Sequence, residues 1–357
     1  MYFCFPKFNM DFSNTLIKWY LQNKRDLPWR NTQDPYCVWL SEIILQQTRV
    51  AQGLPYYQAF VAAFPSVHHL AQASEQDVLK LWQGLGYYSR ARNLHQAAQY
   101  ISVELKGIFP KSYTELLGIK GVGTYTAAAI ASFCYGEAVP VVDGNVFRVL
   151  ARYLGVPTDI AAASAKKEFA ALANELMPKN QAALFNQALM EFGALQCVPK
   201  SPTCGACVFQ SSCAALANKQ VSSLPYKSKK TKVTVRHFNY LVLIDEANKS
   251  SIQQRTGPGI WQNLYEFPLY ESGNELELPE LLTVLTQHNL VELPIAKVAE
   301  LTPIPLKHLL SHQQLLIKFW QINLNGLLEN GLDYEQIKAH PFPIVLYNFI
   351  ANDWREL

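Results

Sequence analysis

The chain has 357 residues, is 49% hydrophobic and carries a formal net charge of +3. That length accommodates two or three buried cores, and no run approaches the roughly eighteen consecutive apolar residues of a membrane span, so a spanning protein is excluded and a cytoplasmic one expected. The small positive charge neither demands nor excludes a polyanionic partner.

Apolar residues at helical spacing predict helices over Phe12–Gln22, behind the cap candidate Asp11, and over Val38–Ala51, Gln76–Trp82, Ala91–Leu105 and Thr124–Phe133. Ala165–Leu176 and Asn180–Leu195 read the same way, so residues 1–215 are expected to form one all-α domain. Residues 216–235 read as a basic linker. From Ala214 to Tyr240 there is no Asp or Glu, while Lys219, Lys227, Lys229, Lys230, Lys232 and Arg236 accumulate beside Ser222, Ser223 and Pro225. Such a segment either simply stays solvated or lies near phosphate. Residues 236–357 change texture. The β-rich runs Val233–Ile244 and Leu315–Leu324, with helix candidates at Pro279–His288 and Ile344–Trp354, predict a separate α/β unit.

Four of the seven cysteines, Cys197, Cys204, Cys207 and Cys213, fall within 17 residues at the spacing Cys-x6-Cys-x2-Cys-x5-Cys; the others are scattered at Cys4, Cys37 and Cys134. Four thiolates joined by loops too short to enclose a core point to a soft metal centre. Spacing alone leaves a 4Fe-4S cluster and a structural zinc equally open, since four cysteines serve both. Two local disulfides are the weaker alternative, because nothing indicates an oxidising compartment.

In the helical half, Leu116-Leu-Gly-Ile-Lys-Gly-Val-Gly-Thr-Tyr-Thr-Ala-Ala-Ala-Ile130 reads as helix, glycine turn, helix. Gly121 and Gly123 would let the backbone approach a DNA phosphate, with the amides at the start of the second helix pointing at the anion. By itself the pattern describes a plain helical hairpin equally well. Beyond it, Val141-Val-Asp-Gly-Asn-Val-Phe-Arg148 sets Asp143 between an apolar run and a glycine, where a carboxylate either faces a cleft or caps a helix.

The hairpin, Asp143 and the cysteine loop, in this order, resemble the helix-hairpin-helix DNA glycosylase superfamily in its branch with a 4Fe-4S cluster. Lys24-Arg-Asp-Leu-Pro-Trp-Arg30, Pro35-Tyr-Cys-Val-Trp-Leu-Ser-Glu-Ile-Ile-Leu-Gln-Gln-Thr-Arg49 and Gly84-Leu-Gly-Tyr-Tyr-Ser-Arg-Ala-Arg92 are similar to the adenine DNA glycosylase (MutY) family, which removes adenine mispaired with 8-oxoguanine. This resemblance covers most of residues 20 to 213 and favours one 4Fe-4S cluster on the four cysteines over zinc. It implies a base-excision-repair enzyme, nucleoid-associated and monomeric, that acts on double-stranded DNA carrying A opposite 8-oxoguanine or G and leaves an abasic site. In the endonuclease III branch a lysine in the slot after Gly-x-Gly-x attacks the sugar as a Schiff-base nucleophile. Here the slot holds Tyr125, and a phenol forms no imine.

The chemistry asks for two carboxylates in different environments. Adenine leaves once a ring nitrogen is protonated, and the bond then breaks toward an oxocarbenium-like sugar. Glu42 has Val38, Trp39, Leu45 and Gln46 as helical neighbours, so desolvation would raise its pKa and keep its proton for N-7 of adenine. Alone, it would read as a surface helix glutamate. Asp143 is expected to stay ionised beside the sugar, with Asn145 and Tyr125 as its orienting partners by resemblance. The resemblance also assigns Gln47 and Tyr87 as wedges and supports for the widowed purine, Thr48 to substrate or DNA contact, and Arg25, Leu27, Trp29, Arg30 and Gln187 to the adenine pocket.

Gln254-Arg-Thr-Gly-Pro-Gly-Ile-Trp-Gln-Asn-Leu-Tyr-Glu-Phe-Pro268 is similar to the opening of the Nudix-like C-terminal domain of the same family. The chain contains no Glu-Glu dipeptide, so the glutamate-rich helix that holds magnesium in a Nudix hydrolase is missing and recognition of 8-oxoguanine is the expected role. Leu310-Ser-His312 matches the family's lesion-sensing loop, with Ser311 and His312 offering hydrogen bonds. Leu310 stands where the family usually has Phe, which removes a stacking ring. Two other functions compete: a pyrimidine or G/T-mismatch glycosylase of the same fold, and a non-catalytic, cluster-bearing DNA-binding protein.

Overall fold

The computed structural model describes residues 9–228, 233–352 and 354. Cys4 and the linker residues Lys229, Lys230 and Lys232 lie outside them. The chain forms two compact units, one of Met1–Gln72 with Asn93–Lys229 and one of Ala73–Arg92 with Lys230–Leu357. Residues 73–92, read above as part of the helical domain, thus pack with the second unit.

In chain order the described helices are α1 Asn9–Asn23, α2 Pro35–Leu45, α3 Val50–Ala63, α4 Val67–Gln72, α5 Glu75–Trp82, α6 Ser89–Val103, α7 Tyr113–Leu116 and α8 Thr124–Tyr135. They continue with α9 Gly144–Leu154, α10 Ala165–Leu176, α11 Ala182–Leu195, α12 Ala214–Ala217, α13 Leu278–His288, α14 Tyr334–Ala339 and α15 Ile344–Asn352. The strands are β1 Thr234–Ile244, β2 Gln253–Gln254, β3 Tyr265–Glu266, β4 Leu269–Ser272, β5 Ile295–Glu300, β6 Leu306–Leu309 and β7 Gln313–Leu324.

Three differences from the sequence reading bear on the site. The helix expected over Val38–Ala51 is two helices, because the chain turns at Gln46 and places Gln47 in the left-handed region at φ 56° before α3 begins. Pro55 inside α3 masks its helical pattern, since proline is unfavourable in a helix interior. Helix α9 was anticipated only through the reading of Asp143 as a cap: its buried face carries Arg148 and Arg152 among Val146, Val149 and Leu150, which interrupts the apolar stripe. Asp11 lies in the first turn of α1 and does not cap it.

The first unit is built around α1, α9, α10 and α11, where Phe12, Tyr153, Phe185 and Phe192 form one buried aromatic cluster with Phe209 of the cysteine loop. Beside it, α2 packs on α8. Asp34 caps α2 by accepting from Tyr36 N, with Pro35 at the first helical position, which fixes where Glu42 falls.

In the second unit β1 and β7 run parallel at the centre of a sheet ordered β4-β1-β7-β5, with β6 also on β7. Both strands are buried on both faces, which explains their nearly continuous apolar sequence. Leu241, Leu243, Trp320 and Ile322 meet Leu281 and Leu285 of α13, while Phe319 stacks on Phe349 of α15 at 3.7 Å.

Candidate active site

Glu42 and Asp143 line one cleft of the first unit together with Gln47 and Tyr125, and an adjoining cleft shares the same four residues. Glu42 sits two turns into α2 and is 7% exposed. Its Oε2 accepts a 2.6 Å hydrogen bond from Tyr125 Oη. Burial pushes the Glu42 carboxyl up to about 7; the Asp143 charge adds to the rise, and the Tyr125 hydrogen bond and Arg30 oppose it. Burial, with the Glu42 and Asp143 charges, keeps the Tyr125 phenol protonated.

Asp143 both caps a helix and faces the cleft, so the two readings offered by its sequence hold together. Its Oδ1 accepts from Asn145 N at 2.9 Å and Val146 N at 2.8 Å, and its Oδ2 from Asn145 Nδ2 at 2.7 Å. These donors and Arg148 favour the carboxylate, yet burial outweighs them and the carboxyl lies above its ordinary range. Asn145 is the partner of Asp143, whereas Tyr125 is the partner of Glu42. Asn145 Oδ1 in turn accepts from Arg148 Nη2, and Arg148 Nε donates to Cys197 O at 2.7 Å.

The residues matched to an adenine pocket converge. Arg25, Leu27, Trp29, Arg30 and Gln187 line the second cleft with Glu42, Gln47, Thr48, Asp143 and Asn145. Sequence reasoning missed Glu191, which is 1% exposed and grips both arginines. Its two oxygens accept from Arg25 N, Nε and Nη2 and from Arg30 Nη1 and Nη2 at 2.6 to 3.0 Å. Burial alone would raise this carboxyl; the two guanidiniums instead hold it down at about 2. A signal was present: Glu191 is the single charge in α11 and stands four residues after Gln187, on the same face.

The hairpin glycines play different parts. Gly121 adopts φ +85°, and a Cβ there would meet Asn93 Cβ at 2.9 Å, so this glycine is required by the fold. A Cβ on Gly123 meets nothing within 4 Å, and Gly123 caps α8 without a side-chain bond. Thr124, the first residue of α8, is exposed. The remaining matched residues, Tyr87, Ser311 and His312, line a cavity of the second unit with Leu310, Trp261 and His308. Tyr87 has φ 48° and its hydroxyl lies 2.7 Å from Ser311 Oγ. Leu309 at that loop is 72% exposed.

Cys197, Cys204, Cys207 and Cys213 are all free thiols and surround a single small cavity beneath α9 and α11. Arg152 Nη1 lies 3.5 Å from Cys197 Sγ, and Phe209 N donates to Cys207 Sγ at 3.4 Å, contacts that suit thiolates. Among the described residues no three His, Cys, Asp or Glu side chains are gathered tightly enough to hold one metal ion. Four sulfurs lining one cavity suit a shared soft metal centre.

Residues 40–179 match the HhH-GPD superfamily base excision DNA repair protein model, and residues 239–352 match the NUDIX domain. The chain is 33% identical over 343 residues to the adenine DNA glycosylase of Buchnera aphidicola subsp. Baizongia pistaciae (strain Bp), an alignment spanning 93% of this chain and 94% of the relative. It is 35% identical over 262 residues to that of Buchnera aphidicola subsp. Schizaphis graminum (strain Sg), spanning 73% and 75%. Among solved structures, a thermostable thymine-DNA glycosylase superposes with a TM-score of 0.54 at 28% identity, covering 59% of this chain and 98% of that one. No helix among the described residues is long and apolar enough to cross a membrane. Matched along nearly its whole length, through both its helical and its Nudix-like parts, the chain belongs to the adenine DNA glycosylase family.

Proposed function

We propose that the chain hydrolyses the N-glycosidic bond of adenine lying opposite 8-oxoguanine or guanine in double-stranded DNA, and that it leaves an abasic site without cutting the strand. The observation that carries this reading is the pairing of Glu42, held near pKa 7, with Asp143 on one cleft. Near neutrality a large fraction of Glu42 is protonated and can donate to N-7 of an extruded adenine; the same carboxylate then accepts a proton from the attacking water. Asp143, held by three N–H contacts, faces the sugar. As positive charge develops there, it favours the ionised carboxylate. Tyr125 fixes Glu42 and offers no amine, which supports a monofunctional enzyme.

Arg25, Leu27, Trp29, Arg30 and Gln187 are the proposed walls for the base. Gln47 and Tyr87, both non-glycine residues in the left-handed region, are the proposed wedges into the stack, for such backbone persists where function repays the strain. The start of α8 after Gly123, which no side chain caps, suits a phosphate. Ser311 and His312 are proposed to read the oxidised purine, with Leu310 supplying no ring. The four cysteines would hold one 4Fe-4S cluster, whose role on this reading is to close their loop around a rigid centre.

A duplex with one A opposite 8-oxoguanine, incubated with the protein and then heated in alkali, tests the reading. Cleavage at A after alkali alone is expected. Cleavage before alkali would make the enzyme a lyase, and tight binding with no cleavage would make it a non-catalytic DNA-binding protein. The likeness to the thymine-DNA glycosylase keeps a mismatched T opposite G as the second substrate to assay.

A further inference from the structure

We propose that Glu191 is a positioning residue for adenine excision: it locks Arg25 and Arg30 along the base cavity and cancels one of their two charges, so that Glu42 does not face a pair of bare cations. The inference rests on the adenine-excision reading above and adds a residue that acts through the two arginines.

The geometry is that of a buried fork. Glu191 Oε1 accepts from Arg25 N at 3.0 Å, Arg25 Nε at 2.9 Å and Arg30 Nη1 at 2.9 Å, and Oε2 accepts from Arg25 Nη2 at 2.6 Å and Arg30 Nη2 at 2.7 Å. One carboxylate thus takes an edge of each guanidinium and leaves Arg25 Nη1 and Arg30 Nε outside the clamp, on residues that line the cavity. Arg30 Nη1 also donates to Arg25 O at 3.1 Å, and its guanidinium lies 5.7 Å from the Tyr20 ring centroid. Tyr20 Oη donates to Gln187 Oε1 at 2.6 Å, which fixes the amide of the neighbouring wall residue. With side-chain exposures of 1% for Glu191, 14% for Arg30 and 35% for Arg25, solvent screens the Glu191–Arg30 pair little and Arg25 more.

Local charge then decides the consequence for Glu42. The titratable groups that act on Glu42 are Tyr125, Asp143 and Arg30, with Cys134 close enough to be raised by it; those acting on Glu191 are Arg25 and Arg30, with Tyr20 beside them. Arg25, Arg30 and Glu191 sum to one positive charge. Glu191→Gln makes it two, and the uncompensated Arg30 draws the proton off Glu42. A residue needed only for packing would slow the reaction equally at every pH.

The test is the pH profile of single-turnover adenine release from the A:8-oxoguanine duplex. The wild-type rate is expected to fall as pH rises through about 7, the range in which Glu42 deprotonates. In Glu191→Gln the break moves to lower pH, and above it the rate drops about tenfold for each pKa unit of displacement. Glu191→Asp, which keeps the charge but cannot span both guanidiniums, restores the break while the rate stays below wild type. Should Glu191→Gln fail to fold, the double variant Arg30→Gln/Glu191→Gln returns the local sum to one positive charge and is expected to keep the wild-type break. An unmoved break in Glu191→Gln, a lowered break in the double variant, or a wild-type rate in Glu191→Asp overturns the proposal. A wild-type protein that releases no adenine would instead overturn the reading beneath it, before any variant is made.

Discussion

A Cβ built on Gly193 of α11 lies 2.6 Å from Asn145 Cβ and 3.0 Å from both the Cα and the carbonyl oxygen of Asn145, so the two helices touch backbone to backbone beside Asp143. Because the opposing atoms are mostly backbone, they cannot rotate away. Gly193→Ala is expected to destabilise the protein by about 1–3 kcal/mol, the usual consequence of overpacking. Adenine release should fall further than stability explains, by up to about a hundredfold, because a shift of an ångström at a reacting group is that severe. Urea denaturation beside single-turnover kinetics separates the two; a rate loss absent in a measurably destabilised variant would refute the positional argument.

Glu42→Gln removes the proton donor while keeping the acceptor that Tyr125 Oη uses. The variant should bind the lesion duplex and release no adenine. Its stability should also depend on pH in a particular sense. The Glu42 carboxyl rises from an ordinary 4.5 to about 7 in the folded chain. Between those values the folded state binds more protons than the unfolded one, so wild-type stability from this group is full below about 4.5 and declines as pH rises to 7, by about 3 kcal/mol in all. Glutamine carries no such penalty. Urea midpoints should show Glu42→Gln more stable than wild type at pH 8 and close to it at pH 5; an equal difference at both values would rule out a buried, neutral Glu42.

The hairpin glycines should separate on substitution. Gly121→Ala strains a residue at φ +85° and drives a methyl into Asn93, and is expected to lower stability by about 1–3 kcal/mol. Gly123→Ala meets open space, so the fold should tolerate it while DNA affinity drops, the methyl standing where a phosphate would approach. Comparing melting temperatures with duplex binding at two salt concentrations checks both, and unchanged binding by Gly123→Ala would remove the hairpin from the interface.

Purified protein is expected to show the broad visible absorbance of a 4Fe-4S centre, and Cys204→Ser to lose it. Metal analysis finding zinc alone, with no visible band, would overturn the assignment.

The helix over Ala165–Leu176 and the long apolar runs of β1 and β7 were legible in sequence because one period dominates each. The cysteine loop stood out by its spacing, whereas Glu42 and Asp143 were singled out by the family resemblance, since alone Glu42 reads as a surface glutamate and Asp143 equally well as a cap. The extent of helix α9 was not legible, because Arg148 and Arg152 interrupt its buried face, and neither was the break before Gln47, which depends on a left-handed residue rather than a glycine or proline.

What the sequence determined by itself is local: which residues titrate, which turn positions lack a side chain, which segments alternate with which period. Only tertiary structure decided that Tyr125 serves Glu42 and Asn145 serves Asp143, that burial lifts Asp143 as well as Glu42, and that Glu191, 161 residues beyond Arg30, clamps the cavity wall. Desolvation and charge pairing are properties of distance through the folded molecule, and distance along the chain does not encode them.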